Sequence, residues 1–392
     1  MVGQLSRAGL VRTKRDSTLL WKPYVLDELF VRRISVYLTG IELWRLRLVS
    51  TAFLRTYCGD ASGVFREVDL GSVLVARGVL PRTLSDLFLA VHASCTSLSI
   101  PTFCTTSILA ALAVHPLRLL IKLDLSFAPL ADADATLIAH GCPALQMLTV
   151  AGCASITPVF LASLASPPPL PSAASATASS PQIASVNSHH PPAPPSTTAG
   201  AAGTPSPALT TTLTHLNLWA CRGITPLATG SLAAFGALEE LCLSRIPLTD
   251  DDLAEVGRVS RLRTLILEGM NVSASASTST SGSVNASGHS EAGLAALFGK
   301  LAETLTTVSI ARYAAVVPQT VLQALMMCTR LQTLVVDGCP GIDADVVRQF
   351  LTACPMLKHL NASTCPALQT APVDELQWEF PNVEIWARDY IK

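Results

Sequence analysis

The residues best equipped for chemistry are cysteines and histidines. Eleven cysteines are spread over 392 residues, and three pairs share one spacing: Cys142 with Cys153, Cys328 with Cys339, and Cys354 with Cys365. A zinc site would want closer ligands, such as two residues between cysteines. A disulfide scaffold would want an even count in a short exported chain. Here the count is odd, and residues 1–22 carry Arg7, Arg12, Lys14, Arg15 and Lys22 without an apolar stretch, so a secretory signal is not expected. Asp16 is the only acid in that basic tail, a composition that a mitochondrial transit segment would share. The common spacing reads as repeat geometry: one thiol ends a helix, the next sits just beyond the following strand, and each serves as a small buried hydrophobe that can hydrogen-bond. His189 and His190 have no further ligands near them in sequence, and neither a glycine-rich phosphate loop, a nucleophile elbow nor a His-Glu metal helix occurs. The expectation is a protein without catalytic residues, cofactor or metal.

The elements that would position these cysteines recur along the chain. The stretch from Leu331 to Cys365 opens with Leu331, Leu334 and Val336, passes Cys339 and Gly341, and runs through a segment whose Val346, Val347, Phe350 and Leu351 lie on one helical side. One short strand, one turn and one helix make the unit. Two apolar residues flanking one polar position mark it at Val68/Leu70, Leu98/Ile100, Leu123/Leu125, Leu148/Val150, Leu216/Leu218, Leu241/Leu243, Leu265/Leu267, Val308/Ile310, Leu334/Val336, Leu360/Ala362 and Val383/Ile385. Self-similarity at ~20–29 residues with this leucine spacing is what leucine-rich repeats show, each unit burying its apolar face against its neighbours. The expected fold is therefore α/β: a leucine-rich-repeat solenoid over 59–392, with parallel strands on a concave face and helices on a convex one. Two steps are too long, and each contains a low-complexity stretch rich in Ser, Ala and Thr. The inserts at 166–209 and 272–289 have almost no large apolar residues to offset the entropy of ordering, so they should hang from the stack without breaking it.

Stacked strands and helices absorb an otherwise greasy balance, 49% hydrophobic against 14% charged. A formal net charge of −1 favours neither nucleic acid nor an anionic membrane as partner. The longest apolar candidate, Ile108 to Leu120, is broken by His115, Pro116 and Arg118 and falls short of the ~18 residues a membrane helix needs.

Between the tail and the repeats, residues 23–58 read as two or three short helices. Leu26, Leu29, Phe30, Ile34, Tyr37 and Leu38 recur at helical spacing, Thr39 and Gly40 interrupt, and Leu43, Leu46, Val49 and Phe53 resume. Read alone, this segment is a cap for the solenoid behind it. It also resembles an F-box, whose pattern is met by Val25, Leu26, Asp27, Glu28 and Leu29, then Ile34, Leu38, Glu42 and Leu43, then Val49, Ser50 and Phe53. It departs from that pattern at Val25 for Leu, Leu26 for Pro and Phe53 for Trp. The phrases around Cys153, Cys221, Cys339 and Cys365 are similar to the cysteine-containing subclass of leucine-rich repeats commonly found behind F-boxes, with Ile246, Met270 and Tyr313 at the same place in other repeats.

The resemblance implies a substrate-recognition subunit of a Skp-cullin-F-box ubiquitin ligase, working in cytoplasm or nucleus. Leu26, Glu28, Leu29, Ile34, Leu38, Leu43, Leu46, Val49 and Phe53 would meet a Skp-type adaptor held on a cullin scaffold. A plain repeat scaffold or inhibitor is the alternative. The partner protein would sit on the outward strand residues, since alternation sends the marker residues inward. Those candidates are Lys122, Asp124, His215, Asn217, Trp219, Glu240, Arg245, Glu268, Tyr313, Asp337, His359 and Asn361, with Thr149, Ser244 and Ser309 in the same rows. Trp219 has the composition of a binding hot spot, unless the nearby Pro-rich insert covers it. A small molecule or inositol phosphate in the concavity, as in some plant F-box receptors, would need a basic cluster that the sequence does not display. At the carboxy end, Trp386 and Tyr390 are expected to cover the last rung.

Overall fold

The computed structural model describes residues 67–69, 95–100, 105–167, 209–227, 230–269, 289–313, 316–369 and 373–387, all within one unit, Gly63–Lys392. Residues 1–58, most of both inserts, Met270 and Tyr390 lie outside the described residues.

Three-residue strands follow one another as β1 (Glu67–Asp69), β2 (Ser97–Ser99), β3 (Lys122–Asp124), β4 (Met147–Thr149), β5 (His215–Asn217), β6 (Glu240–Cys242), β7 (Thr264–Ile266), β8 (Thr307–Ser309), β9 (Thr333–Val335), β10 (His359–Asn361) and β11 (Glu384–Trp386). They form one 11-stranded sheet in chain order, and every pairing is parallel. Parallel neighbours require a crossover between them. It is supplied by α1 (Thr105–Val114), α2 (Asp134–Gly141), α3 (Pro158–Ala165), α4 (Leu209–Thr212), α5 (Asp250–Val256), α6 (Glu291–Leu301), α7 (Gln319–Met326), α8 (Ala344–Ala353) and α9 (Val373–Glu379), and between β5 and β6 by a 3-10 turn at Arg222–Ile224.

The register follows the leucine markers: Leu123, Leu148, Leu216, Leu241, Leu265, Val308, Leu334 and Leu360 are successive partners. These side chains and their second markers, Leu125 through Ala362, are buried, and Phe160, Phe235, Phe298 and Phe350 fill the space beneath the helices. The last rung is the exception. Leu360 pairs with Ile385 rather than Val383, so the final marker pair is Ile385/Ala387. Val383, Ile385 and Ala387 alternate equally well, and alternation alone cannot tell registers two residues apart. Trp386 consequently stands level with Asn361 on the solvent face, 49% exposed, and does not cover the core. Leu376 of α9, which packs beside this rung, is buried. Its neighbour Gln377 donates to the oxygen of Val383 at 2.9 Å and accepts the N–H of Ile385 at 3.3 Å.

Helix starts are tied to the preceding repeat. The N-cap residue of α3, Thr157, is held by Asp132 through its N–H (2.7 Å) and hydroxyl (2.6 Å). The N-cap of α6, Ser290, is held in the same way by Asp250, both bonds being 2.7 Å. Each cap satisfies a helix-end donor worth ~1 kcal/mol, and the Asp250–Ser290 pair, which spans the second insert, fixes where the chain re-enters the stack there. Across the first insert β4 and β5 are adjacent all the same, and Thr214 Oγ1 donates to the Gln146 oxygen at 3.1 Å.

The cysteines form the expected buried ladder. Thiols of Cys153, Cys221, Cys339 and Cys365 donate to the carbonyls of Leu125 (3.4 Å), Val150 (3.0 Å), Ile310 (3.2 Å) and Val336 (3.1 Å), one rung earlier in each case. Burial pushes the Cys153 thiol up to about 12 and those of Cys221 and Cys339 up to about 11, so they stay protonated donors. Cys142 and Cys354 end helices, again as expected. All nine described cysteines are buried and unpaired by disulfides.

Candidate functional site

The solvent face of the sheet is assembled from three positions per rung, followed by a turn. The residue between the markers has a structural task in several repeats. Asp124 accepts from the N–H of Ser126 (2.9 Å), Asn217 from that of Trp219 (2.9 Å) and Asn361 from that of Ser363 (3.0 Å). Such Asx turns reverse the chain as each strand ends.

Two residues past the second marker the backbone turns left-handed in rung after rung: Phe127 (φ 59°), Gly152 (71°), Ala220 (57°), Arg245 (60°), Gly269 (65°), Arg312 (56°), Gly338 (65°) and Thr364 (56°). For a residue other than glycine this costs about 1–2 kcal/mol. The conformation persists because it is over-determined by the neighbouring rung. The N–H of Phe127 donates to Ala151, that of Gly152 to Trp219, that of Arg245 to Glu268 and that of Arg312 to Asp337, at 2.6, 2.6, 3.0 and 2.6 Å.

This column delivers large side chains beside the sheet face. Phe127 lies over Gly152, where an added Cβ would stand 2.5 Å from its ring. Its edge meets Trp219, with centroids 6.1 Å apart and planes at 75°. The Arg245 guanidinium lies 5.2 Å from the Trp219 ring centre, close enough for a cation–π attraction. Beside this trio opens a cavity of about 670 Å³ whose walls include Trp219, Arg222, Arg245, Glu268, His289 and Arg312. The Glu268 carboxylate accepts from the Ser309 hydroxyl at 2.8 Å. His289 is buried, its ring nitrogen 3.4 Å from the Tyr313 hydroxyl. Burial lowers its pKa, with Asp250 pulling the other way.

The exposed sheet residues singled out from sequence fall into three groups. His215, Asn217, Trp219, Glu240, Arg245 and Glu268 belong to the rungs of β5 to β7. His215 and Glu240 stand side by side, Nε2 to Oε2 3.5 Å. Asp337, His359 and Asn361 are near the carboxy end. There His359 meets Glu384 at 2.9 Å, and Glu384 accepts the Trp386 indole N–H at 2.8 Å. The Trp386 and His359 hydrogen bonds hold the Glu384 carboxyl below its ordinary range. Lys122 and Asp124 lie at β3, seven rungs or ~34 Å from β10 at the usual ~4.8 Å spacing, so the twelve do not form one site.

Three expectations need correction. Tyr313 is 2% exposed. It takes the position that cysteine fills in other repeats, so its ring points into the stack and burial raises its phenol pKa. Ser244 and Ser309 are buried as well. A basic cluster does exist, since Arg222, Arg245 and Arg312, distant in sequence, line one cavity. Phe127, Arg222 and Arg312 were missed, although aligning the repeats puts Phe127, Arg245 and Arg312 in a column otherwise held by glycine or small residues. The adaptor candidates Leu26, Glu28, Leu29, Ile34, Leu38, Leu43, Leu46, Val49 and Phe53 lie outside the described residues. Among the described residues, no helix is long and apolar enough to cross a membrane.

No family model matches the sequence, and no curated protein matches it. Among solved structures, similarity is found to the crystal structure of the TLR13–ssRNA13 complex, with a TM-score of 0.41 and 12% identity over 73% of this chain. The chain spans about 30% of that protein's length. The ordered parallel ladder, the buried marker leucines and the helical returns among the described residues make this chain a leucine-rich-repeat solenoid.

Proposed function

We propose that the chain is a protein-recognition subunit of a Skp-cullin-F-box ubiquitin ligase and carries out no catalysis itself. The partner protein sits on the solvent face of the sheet, with its main anchor at Trp219. The observation that carries the recognition half is the half-exposed tryptophan flanked by Phe127 and Arg245 on a continuous sheet. Aromatic and arginine residues at the centre of a face are what binding hot spots are made of. The delivery half rests on the F-box resemblance of residues 23–58, with Glu28, Leu29, Ile34, Leu38 and Val49-Ser50 at its marker places. It places the protein in cytoplasm or nucleus, where that machinery works.

The second reading, a repeat scaffold or inhibitor with no ubiquitin role, draws on Leu26 standing where F-boxes have the proline that presets a helix start. Co-precipitation of the purified chain with a Skp-type adaptor separates the two. Capture that is lost in the Leu29→Ala/Ile34→Ala variant, with the thermal melt of the repeats unchanged, supports the ligase reading. No capture, or capture indifferent to those substitutions, leaves the scaffold.

A further inference from the structure

We infer that the cavity beside Trp219 receives an acidic peptide segment of the partner protein, its carboxylates facing Arg222, Arg245 and Arg312. This rests on the recognition half of the proposed function and is independent of adaptor binding.

The argument is one of charge and shape. Three arginines line the cavity against one carboxylate, Glu268, whose Oε1 is engaged by the Ser309 hydroxyl. All three arginines are exposed, and among the described residues none has a salt bridge with an acidic side chain. His289 adds no charge near neutral pH, since burial keeps its pKa down. The whole chain carries a net charge of −1, so a local excess of two positive charges is a property of this place and not of the general composition.

Backbone conformation sets their position: Arg245 and Arg312 share the left-handed place that the neighbouring rung enforces, and both line the cavity. Arginine is also the residue suited to bidentate carboxylate recognition. A peptide fits better than a lone small anion because the cavity is continuous with an apolar wall. Trp219 borders it and Phe127, 61% exposed, extends the wall across the next rungs. An acidic residue and an apolar one a few positions apart would fill both.

The test is selection of random twelve-residue peptides displayed on phage against the full chain, with the Arg222→Gln/Arg245→Gln/Arg312→Gln variant selected in parallel. Enrichment of Asp and Glu, often with an apolar neighbour, is expected on the wild type. A synthetic copy of the winning peptide should bind the triple variant at least ~10-fold more weakly, as three exposed ion pairs of modest strength would give. Its affinity should fall as salt is raised. Enrichment of neutral or basic peptides, or acidic peptides that bind the triple variant equally well, overturns the inference. So does displacement of the peptide by millimolar inorganic phosphate, which would make the site one for compact anions. A Phe127→Ala variant that leaves the arginines in place should weaken the same peptide without abolishing its salt dependence. All four side chains are exposed or half-exposed, and a thermal melt checks that each variant is folded. Adaptor capture is read separately, so peptide binding without capture removes the ligase reading and keeps the cavity, and the reverse result does the opposite.

Discussion

Replacing Cys339 by alanine tests whether the thiol ladder holds the rungs together or merely occupies space. Cys339 is fully buried, and its Sγ donates to the Ile310 oxygen of the previous rung at 3.2 Å. Removing the sulfur forfeits burial comparable to one methylene, ~0.8 kcal/mol. It also removes a hydrogen bond whose net value is ~0.5–1.5 kcal/mol, toward the lower end for a weak S–H donor. With partial collapse of the small cavity, we expect Cys339→Ala to cost about 2 kcal/mol. Serine keeps a donor, but its shorter C–O bond draws the hydroxyl away from the carbonyl, and a poorly bonded buried hydroxyl costs ~1–3 kcal/mol. Cys339→Ser should therefore be no more stable than the alanine variant. Urea unfolding followed by circular dichroism provides the measurement, and thiol trapping at pH 8 provides the control. With the thiol held at about 11, the thiolate fraction at that pH is roughly one in a thousand, so native Cys339 should resist modification until the stack opens. A serine variant as stable as wild type, or an alanine variant losing less than ~0.5 kcal/mol, would refute the reasoning.

Two further outcomes follow from the same geometry. Gly152→Ala puts a Cβ 2.5 Å from the Phe127 ring at a φ of 71°, so it should cost about 1–2 kcal/mol in urea unfolding and should change the fluorescence of Trp219 as Phe127 is displaced; an unchanged midpoint would contradict the proposed column. His289 has a lowered folded pKa, chiefly from burial. Its contribution is complete above its ordinary value of 6.5 and is lost as pH falls through the folded pKa, because the unfolded chain binds the proton first. Stability should drop as pH falls below 6.5, and His289→Leu should flatten that slope; an unaltered slope would assign the loss to other groups.

How far the sequence could be read depended on how regular the backbone is at each place. Along the strands the marker positions recur at a near-constant step, and the marker residues from Leu98 to Leu360 could be aligned without a structure even where Ile266 or Val335 breaks the polar alternation. Register became ambiguous only where Val383, Ile385 and Ala387 offered three alternating apolar positions for two places. Tyr313 fits two places in the repeat pattern, a stand-in for cysteine and a face residue, and burial decides for the first. The turn was harder. Alternation stops at the second marker, and a left-handed residue returns its side chain to the solvent face, so Phe127 and Arg312 could not be found by counting in twos. Arg222 required knowing that a 3-10 turn, and not a full helix, follows β5.

The joining of β4 to β5 has a practical meaning. These rungs exchange the same hydrogen bonds as any other pair, although the chain between them is far longer than a normal repeat. Spacing between neighbours is thus set by what the two edges share and not by the tether connecting them. A reporter domain or an affinity tag spliced between Pro167 and Leu209 should leave the binding surface intact, which makes that seam the natural port for labelling this protein.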